Sequence, residues 1–394
     1  MSKVIVHIDL NAFFVRCEEI KDPSIIGKPV AVGHDGRAGI VSTCSYKARE
    51  YGVRSGMPMS KAKDLCRDLL IKPVDFHFYH MLSSEFVSFV RNYTKLVEIA
   101  SIDEVFADFT EVLKDVNDVV GYFKEFQKKL FETTKLKCSI GIGVTKFLAK
   151  MGSDYQKPMG LTIIRKKDIS KILGPLPIRD LFGVGKKTAP RLESIGIKTI
   201  QDFINRSEID DEETKNILGK SYYLLKDWVH GLGDDTIITV PEDLKSIGNS
   251  TTLFEDTDNI EVIKNAFKEL SKEVSSRAIG ERKLANTIQI MVKDTHYKAH
   301  NKSTTLPNPT NEFSDIFNVV MKLYEKNYTV LMIRAVGVTL QKLIDPIDMS
   351  IQMTLFDYEE HEKESSTKLL INELNRNLKK PLLIRASEVK RKKK

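Results

Sequence analysis

Apolar and polar positions follow two different periods along this chain, and each change of period marks a change of element. Val4–Asp9 is apolar with one charge at its end and reads as a short buried strand. Asn11 stands where it can cap a helix whose apolar positions are Phe13, Phe14, Cys17 and Ile20. Residues 28 to 75 are mixed, with Gly-rich turns and two short helical patterns. His80–Glu98, Lys114–Thr134 and Thr145–Gln156 have helical periodicity, whereas Cys138–Val144 and Leu161–Arg165 read as strands. Val97–Ile102 and Val105–Phe109 are β-rich runs separated only by Asp103-Glu104, a hairpin spacing with a dipeptide that tight turns do not favour. The resulting β-α-β-β-α-β order predicts a mostly antiparallel sheet with helices on one face.

Helices alone are expected from Ile169 to Gly233, with glycines at the turns. Asp234–Ser250 has no helical period and contains Pro241, so it reads as an extended linker. Asn259–Ile279 is a strongly amphipathic helix, and a helix over Glu312–Lys326 lies between strand-like Leu284–Lys293 and Tyr328–Leu340, giving a second small α+β domain. Beyond Asp345 the chain turns polar: 357–364 is acidic, 368–378 fits one helix, and Lys390–Lys394 is a basic run.

A chain of 394 residues exceeds one ordinary core, and 41% hydrophobic with 29% charged residues is the balance of a folded protein. No apolar run reaches 18 residues, and Asp9 interrupts any export signal, so a cytoplasmic protein without a membrane span is expected. Cys17, Cys44, Cys66 and Cys138 form no CxxC and suit a reducing compartment. The net charge is +7, but eight Lys/Arg and one Glu between Leu378 and Lys394 account for it. Basicity of the body is therefore no argument for nucleic-acid binding, which has to come from local patches.

The chemistry is concentrated in three carboxylates. Asp9 ends the first strand, and Asp103 and Glu104 sit at the hairpin tip beside it. Three acids converging at one sheet edge repel each other unless a hard cation is present, and Mg²⁺ takes such oxygen ligands while keeping places for phosphates. Two ions about 4 Å apart clamp an in-line phosphoryl displacement. Each acid taken singly could equally be solvated.

At these residues the sequence resembles the Y-family, or translesion, DNA polymerases, and within them the bacterial DinB or polymerase IV branch. The resemblance rests on His7-Ile8-Asp9-Leu10-Asn11-Ala12-Phe13-Phe14, Ser45-Tyr46-Lys47-Ala48-Arg49, Ser101-Ile102-Asp103-Glu104 and Lys157-Pro158-Met159-Gly160, in the family's order and spacing. It spans Val4 to about Leu343. It implies an α+β multidomain right-hand polymerase: a ferredoxin-like palm (1–10 and 76–166), small fingers (11–75), an all-α helix-hairpin-helix thumb (167–233), a linker (234–243), an α+β little finger (244–343) and a tail (344–394). By the same resemblance Asp9, Asp103, Glu104 and the Leu10 carbonyl hold two Mg²⁺ ions. Phe13, Phe14, Tyr46, Arg49 and Lys157 lie on the nucleotide side. Phe14 matches the steric gate against a 2′-hydroxyl, leaving Phe13 to the core, because adjacent helical side chains diverge. Val32, Ile40 and Ser42 match the roof over the nascent base pair. Val15 stands where the family often has Ala, and Leu10 where many members have an aromatic residue or Met.

Phe182-Gly183-Val184-Gly185-Lys186-Lys187 resembles a helix-hairpin-helix, whose glycines let the backbone approach a phosphate. Gly183, Gly185, Lys186 and Lys187 are thus candidate DNA contacts, as are Arg282, Lys283, Lys293 and Lys298 in a basic stretch of the second domain. Asp210-Asp211-Glu212-Glu213 opens a helix, where acids suit the dipole, and is assigned no chemistry. Gln352-Met353-Thr354-Leu355-Phe356 resembles the peptide by which bacterial polymerases bind the sliding clamp, with Met353 where Leu is commoner. The expectation is a monomeric, low-fidelity DNA polymerase whose partners are primer-template DNA, dNTP and a sliding clamp. The alternatives are a non-catalytic DNA- or clamp-binding scaffold and a nucleotidyl cyclase.

Overall fold

In this computed structural model the strand Ile5–Leu10 (β1) is buried along its whole length, as a strand covered on both faces must be. The structure describes residues 3–329 and 331–346. The chain divides into two units, Met1–Glu242 and Asp243–Lys394.

In the first unit the strands are β1, Val30–Gly33 (β2), Val41–Cys44 (β3), Leu70–Lys72 (β4), Val97–Ile99 (β5), Glu104–Asp108 (β6), Cys138–Gly143 (β7) and Leu161–Ile164 (β8). The helices are Phe13–Lys21 (α1), Tyr46–Glu50 (α2), Met59–Leu65 (α3), Phe76–Arg91 (α4), Val119–Thr134 (α5) and Lys146–Tyr155 (α6). They continue with Ile169–Ile172 (α7), Ala189–Ser194 (α8), Ile200–Glu208 (α9), Glu212–Leu218 (α10) and Ser221–Val229 (α11). One sheet has the order β5-β6-β1-β7-β8, antiparallel except for β7 beside β8. The expected strand–helix alternation is present, extended by β8 across α6. Helix starts follow capping: Asp75 accepts from the Phe78 amide, Asp118 from Gly121 and Thr145 from Leu148. Hence α4 begins before the expected His80, and α5 after the expected Lys114.

Helices on one face only was an incorrect expectation. Val6 and Ile8 share a core with Phe86 and Val90 of α4 and Phe123 and Phe126 of α5. The alternate residue His7 points the other way, where its Nδ1 lies 2.7 Å from Ser153 Oγ on α6. Helix α6 approaches this second face closely because Gly141 and Gly152 meet there. A Cβ on Gly141 would lie 1.9 Å from the Ala149 carbonyl oxygen, and one on Gly152 would lie 3.0 Å from the Gly141 Cα. The outer side of α6 joins the following helices: Phe147, Leu148 and Met151 pack with Leu192, Phe203 and Tyr222.

Asn11 does not cap α1. The residue before that helix is Ala12, in a left-handed conformation without a side-chain cap. Asn11 is buried instead, donating to Ser139 Oγ and accepting from the Met159 amide. A three-stranded sheet, β3-β2-β4, lies within residues 28–75, where a mixed stretch with Gly-rich turns and two short helical patterns was expected. Its strands are three or four residues long, too short for a period to register.

The second unit has one sheet ordered β11-β10-β12-β9, from Ser246–Thr257 (β9), Leu284–Asp294 (β10), Ala299–Thr310 (β11) and Ile333–Ile344 (β12). Helices Ile260–Gly280 (α12) and Phe313–Asn327 (α13) share a core with its Ile288, Ile290, Val336 and Val338. β9 takes up the end of the segment expected as linker, and β11 was not expected. Both are edge strands with few buried side chains, and β11 contains Pro307 and Pro309.

Gly141→Ala is expected to destabilise the protein by roughly 1–3 kcal/mol or more, since the clash is with helix backbone. Urea unfolding of the purified chain measures it, and an unchanged midpoint would contradict the close approach of α6.

Candidate active site

Strand pairing brings the acids together. Asp9 of β1 is directly opposite Glu104 of β6, and the Leu10 amide donates to the Asp103 carbonyl at 2.9 Å. Glu104 is therefore the first residue of a strand and not part of the hairpin tip, while Asp103 stays in the turn, its carboxylate accepting from Ser101 Oγ at 2.6 Å. Asp9, Leu10, Asp103 and Glu104 border a cavity of about 270 Å³, whose other lining residues include Phe13, Phe14, Ser42, Tyr46, Arg49 and Lys157.

Two lysines stand on the acids. Lys157 Nζ is 2.7 Å from Asp9 Oδ2, and Lys150 Nζ is 2.7 Å from Glu104 Oε1 and 3.3 Å from Asp9 Oδ2. Both also meet Asp154, at 2.8 and 3.4 Å. Burial and the hydrogen bond with Glu104 push Asp9 up to about 7, against the pull of the lysines. Burial also acts to raise Glu104, but hydrogen bonds with His7, Asp9 and Lys150 outweigh it and hold Glu104 well below the carboxylate range. Burial lowers the pKa of Lys150, yet Asp154, Glu104 and Asp9 together raise it above its ordinary value. His7 is fully buried, which lowers its pKa and favours the neutral ring, and its Nε2 faces Glu104 Oε2 at 3.5 Å.

Among the described residues no three His, Cys, Asp or Glu side chains are grouped as a ready metal site; ammonium groups hold the Asp9 and Glu104 oxygens. The donor set still fits a hard divalent cation. It offers carboxylates and a main-chain carbonyl at one cavity, with no sulfur or imidazole lining it.

On the opposite wall the Arg49 guanidinium lies 4.7 Å from the centre of the Tyr46 ring. Burial raises the Tyr46 phenol's pKa, with Arg49 and Lys157 opposing. Phe13 is buried, and Phe14 is half-buried with its ring stacked on Tyr79 at 4.6 Å. Of the three roof candidates Ser42 lines the cavity. Val32 is fully buried in the core and Ile40 is 53% exposed, bridged to Pro58, and neither is among the lining residues.

Gly183 has a positive φ of 96°, and Gly185, Lys186 and Lys187 are exposed ahead of α8. Asp211 caps α10 through the Thr214 amide, in keeping with a structural role for that acidic stretch. In the second unit Arg282 and Lys298 are exposed, and Lys293 alternates with Ile290 and Val292 onto the helix-free face of β10. Lys283 stands differently from the expected free cation: Asp243 and Asp345 pair with it at 3.1 and 2.9 Å. Gln352, Met353, Leu355 and Phe356 lie outside the described residues. Sequence reasoning missed Lys150, Asp154, Ser153 and His7 as neighbours of the acids. The available signals were a histidine inside an apolar strand, and a Lys and an Asp four apart on one face of a helix.

The model of the impB/mucB/samB family matches residues 8–154, that of the IMS family HHH motif 166–197, and that of the impB/mucB/samB family C-terminal domain 244–355. The chain is 36% identical over 395 aligned positions to DNA polymerase IV of Bacillus velezensis, covering 99% of this chain and 94% of that protein. It is 35% identical to DNA polymerase IV 1 of Bacillus subtilis over the same shares. Among solved structures, a Y-family DNA polymerase chimera, Dbh-Dpo4(243-245)-Dbh, is similar with a TM-score of 0.75 and 24% identity, over 87% of this chain and 99% of that one. The insertion ternary complex of Dbh DNA polymerase is similar with a TM-score of 0.58 over the same shares.

Proposed function

This chain belongs to the impB/mucB/samB family, the Y-family DNA polymerases, and we propose that Asp9, Asp103 and Glu104 are the residues with which it performs the family's chemistry. It is a DNA-directed DNA polymerase of the translesion class, template-directed and of low fidelity, with the right-hand architecture. Divalent-metal dependence goes with the family. The observation that carries the site assignment is the pairing of Asp9 with Glu104, and of Leu10 with Asp103, at the wall of a cavity that Phe14, Tyr46, Arg49 and Lys157 also line.

Asp9, Asp103, Glu104 and the Leu10 carbonyl would hold two Mg²⁺ ions. Bound there, the ions supply activation of a primer 3′-hydroxyl and stabilisation of the leaving diphosphate. Arg49, with its planar fork, and Lys157, as a point charge, bind the triphosphate, and the Tyr46 hydroxyl adds a hydrogen bond. Lys157 leaves Asp9 for the phosphates, since its side chain is 25% exposed and already reaches the cavity. The stacked ring of Phe14 bears against the sugar and excludes a 2′-hydroxyl. Phe13 supports it from the core, and Ser42 faces the base pair. A scaffold reading is disfavoured, because all three acids are present and a largely desolvated charged cluster adds little stability that a non-catalytic protein would retain it for.

The palm corresponds to 1–10 and 76–166, the fingers to 11–75, the thumb to 167–233, the linker to 234–243 and the little finger to 244–343. Primer-template DNA and dNTP are the partners, a reading supported by the likeness to the insertion ternary complex of Dbh DNA polymerase. Gly183, Gly185, Lys186 and Lys187 would meet the DNA backbone, joined by Arg282, Lys293 and Lys298. The ion pairs of Lys283 suit a strut better than a DNA contact. The chain acts as a monomer, since one chain carries the acids and the nucleotide-side residues together. Cytoplasmic action suits its free, buried cysteines, and among the described residues no helix is long and apolar enough to cross a membrane. The peptide 352–356 would tether the enzyme to a sliding clamp, Leu355 and Phe356 filling an apolar pocket.

Primer extension with Mg²⁺ and dNTPs tests the site. The Asp103→Ala, Glu104→Ala double variant is expected to lose roughly a thousandfold or more of the rate, the scale on which losing transition-state charge stabilisation is felt. Retained activity would sink the assignment. Phe14→Val is expected to raise ribonucleotide use relative to dNTP roughly 10- to 100-fold in single-nucleotide insertion kinetics, and unchanged selectivity would refute the gate. Leu355→Ala with Phe356→Ala is expected to abolish capture on a clamp-loaded column while sparing distributive synthesis. Equal loss of synthesis without the clamp would assign that segment a folding role.

A further inference from the structure

We propose that Lys150 is a built-in counter-ion of the Asp9–Glu104 pair, which holds the two carboxylates together before a divalent cation arrives and, by contesting the same oxygens, sets how tightly that cation is held. The inference rests on the reading of Asp9 and Glu104 as metal ligands. Lys150 Nζ lies between them, 2.7 Å from one and 3.3 Å from the other, on a side chain only 11% exposed.

Its position is fixed from below. Gly141 and Gly152 let α6 sit against β7 at backbone distance, so the helix cannot retreat without opening a gap. Ser153 Oγ, 2.7 Å from His7 Nδ1, is 2.9 Å from the Lys150 carbonyl oxygen, which ties this turn of α6 to β1. A flexible four-carbon stem on a fixed Cα leaves the ammonium free to move only locally. A second acceptor is within that range: Asp154, one turn on, stands 3.4 Å from the same nitrogen and is more exposed than either cavity acid. The ammonium thus has somewhere to go when the Asp9 and Glu104 oxygens are taken.

Lys157 is different. It belongs to the loop after α6, its side chain is more exposed, and it lines the cavity, which Lys150 does not. Lys157 can follow a triphosphate, whereas Lys150 can shift only as far as Asp154 and stays beside the carboxylates. A positive charge kept there opposes a second cation through the same low-dielectric space. A purely structural lysine would stabilise the fold equally with and without metal, and its removal would leave metal affinity unchanged.

Mn²⁺ binding to the full-length protein without DNA or nucleotide, read by electron paramagnetic resonance, separates these possibilities, together with melting temperatures in chelator and in excess Mn²⁺. The control is Glu104→Gln. If it binds Mn²⁺ as the wild type does, the metal-ligand reading itself fails. With that control weakened, Lys150→Met and the hydrogen-bonding neutral variant Lys150→Gln are each expected to bind Mn²⁺ about tenfold or more tighter. Both should melt lower than the wild type in chelator and recover the difference in excess Mn²⁺. Lys150→Arg keeps the charge and should bind within about threefold of the wild type. Unchanged or weaker binding in the folded neutral variants, or tightening in the arginine variant, would overturn the proposal.

Discussion

Two carboxylates side by side on adjacent strands, Asp9 buried and Glu104 partly so, are the constraint from which the rest of the first unit follows. The register that sets Asp9 opposite Glu104 would be untenable without compensation, because like charges in such a medium repel strongly. The compensation arrives from a helix and the loop behind it: Lys150 from α6 and Lys157 just beyond, with Asp154 shared between them. That helix reaches the acids only because glycines at the contact leave its backbone nothing to strike. A packing detail at two glycines thus determines whether the charged cluster can exist.

The cavity joins this charged floor to a wall with a different origin. Phe13 and Phe14 open α1, one ring sunk in the core and its neighbour turned to the cavity and braced on Tyr79. Tyr46 and Arg49 ride on α2, a helix of five residues started by Ser45, whose hydroxyl accepts from the Ala48 amide. Asn11 ties wall and floor together, reaching Ser139 on β7 and the backbone after Lys157. Groups that line one cavity are therefore held by elements far apart in the chain but fastened through buried hydrogen bonds, an arrangement that fixes their placement.

Much of this was legible in the sequence because it depends on local signals. A strand ending in Asp9 and a charged dipeptide between two apolar runs are visible without coordinates, and so are long helices such as α12. What escaped notice depended on tertiary context. Asn11 looks like a cap until the backbone turns left-handed at Ala12 and its amide finds Ser139. β9 and β11 are edge strands whose mostly exposed side chains leave no alternation to read. The placement of α6 on the far face could be inferred only from the run Ser139-Ile140-Gly141-Ile142-Gly143, where every second residue is small enough for a helix to lie directly upon it. Lys150 and Asp154, four apart, share a helix face in the sequence, but a one-dimensional reading cannot distinguish a lysine facing solvent from one facing two acids.

The distribution of burial explains why such a site is stable enough to keep. Lys157, Asp154 and Asp103 remain partly in water, so their charges are screened and cost little. Asp9, His7 and Lys150 do not, and each is held by at least one specific partner. A buried cluster of this kind adds little to stability over an apolar core, yet removing one member leaves another uncompensated. Its members consequently depend on one another. Exchanging a member for a group of the same charge therefore disturbs it least, and the pair of acids at the edge of the cavity is where a cation brought from outside can stand in for a lysine.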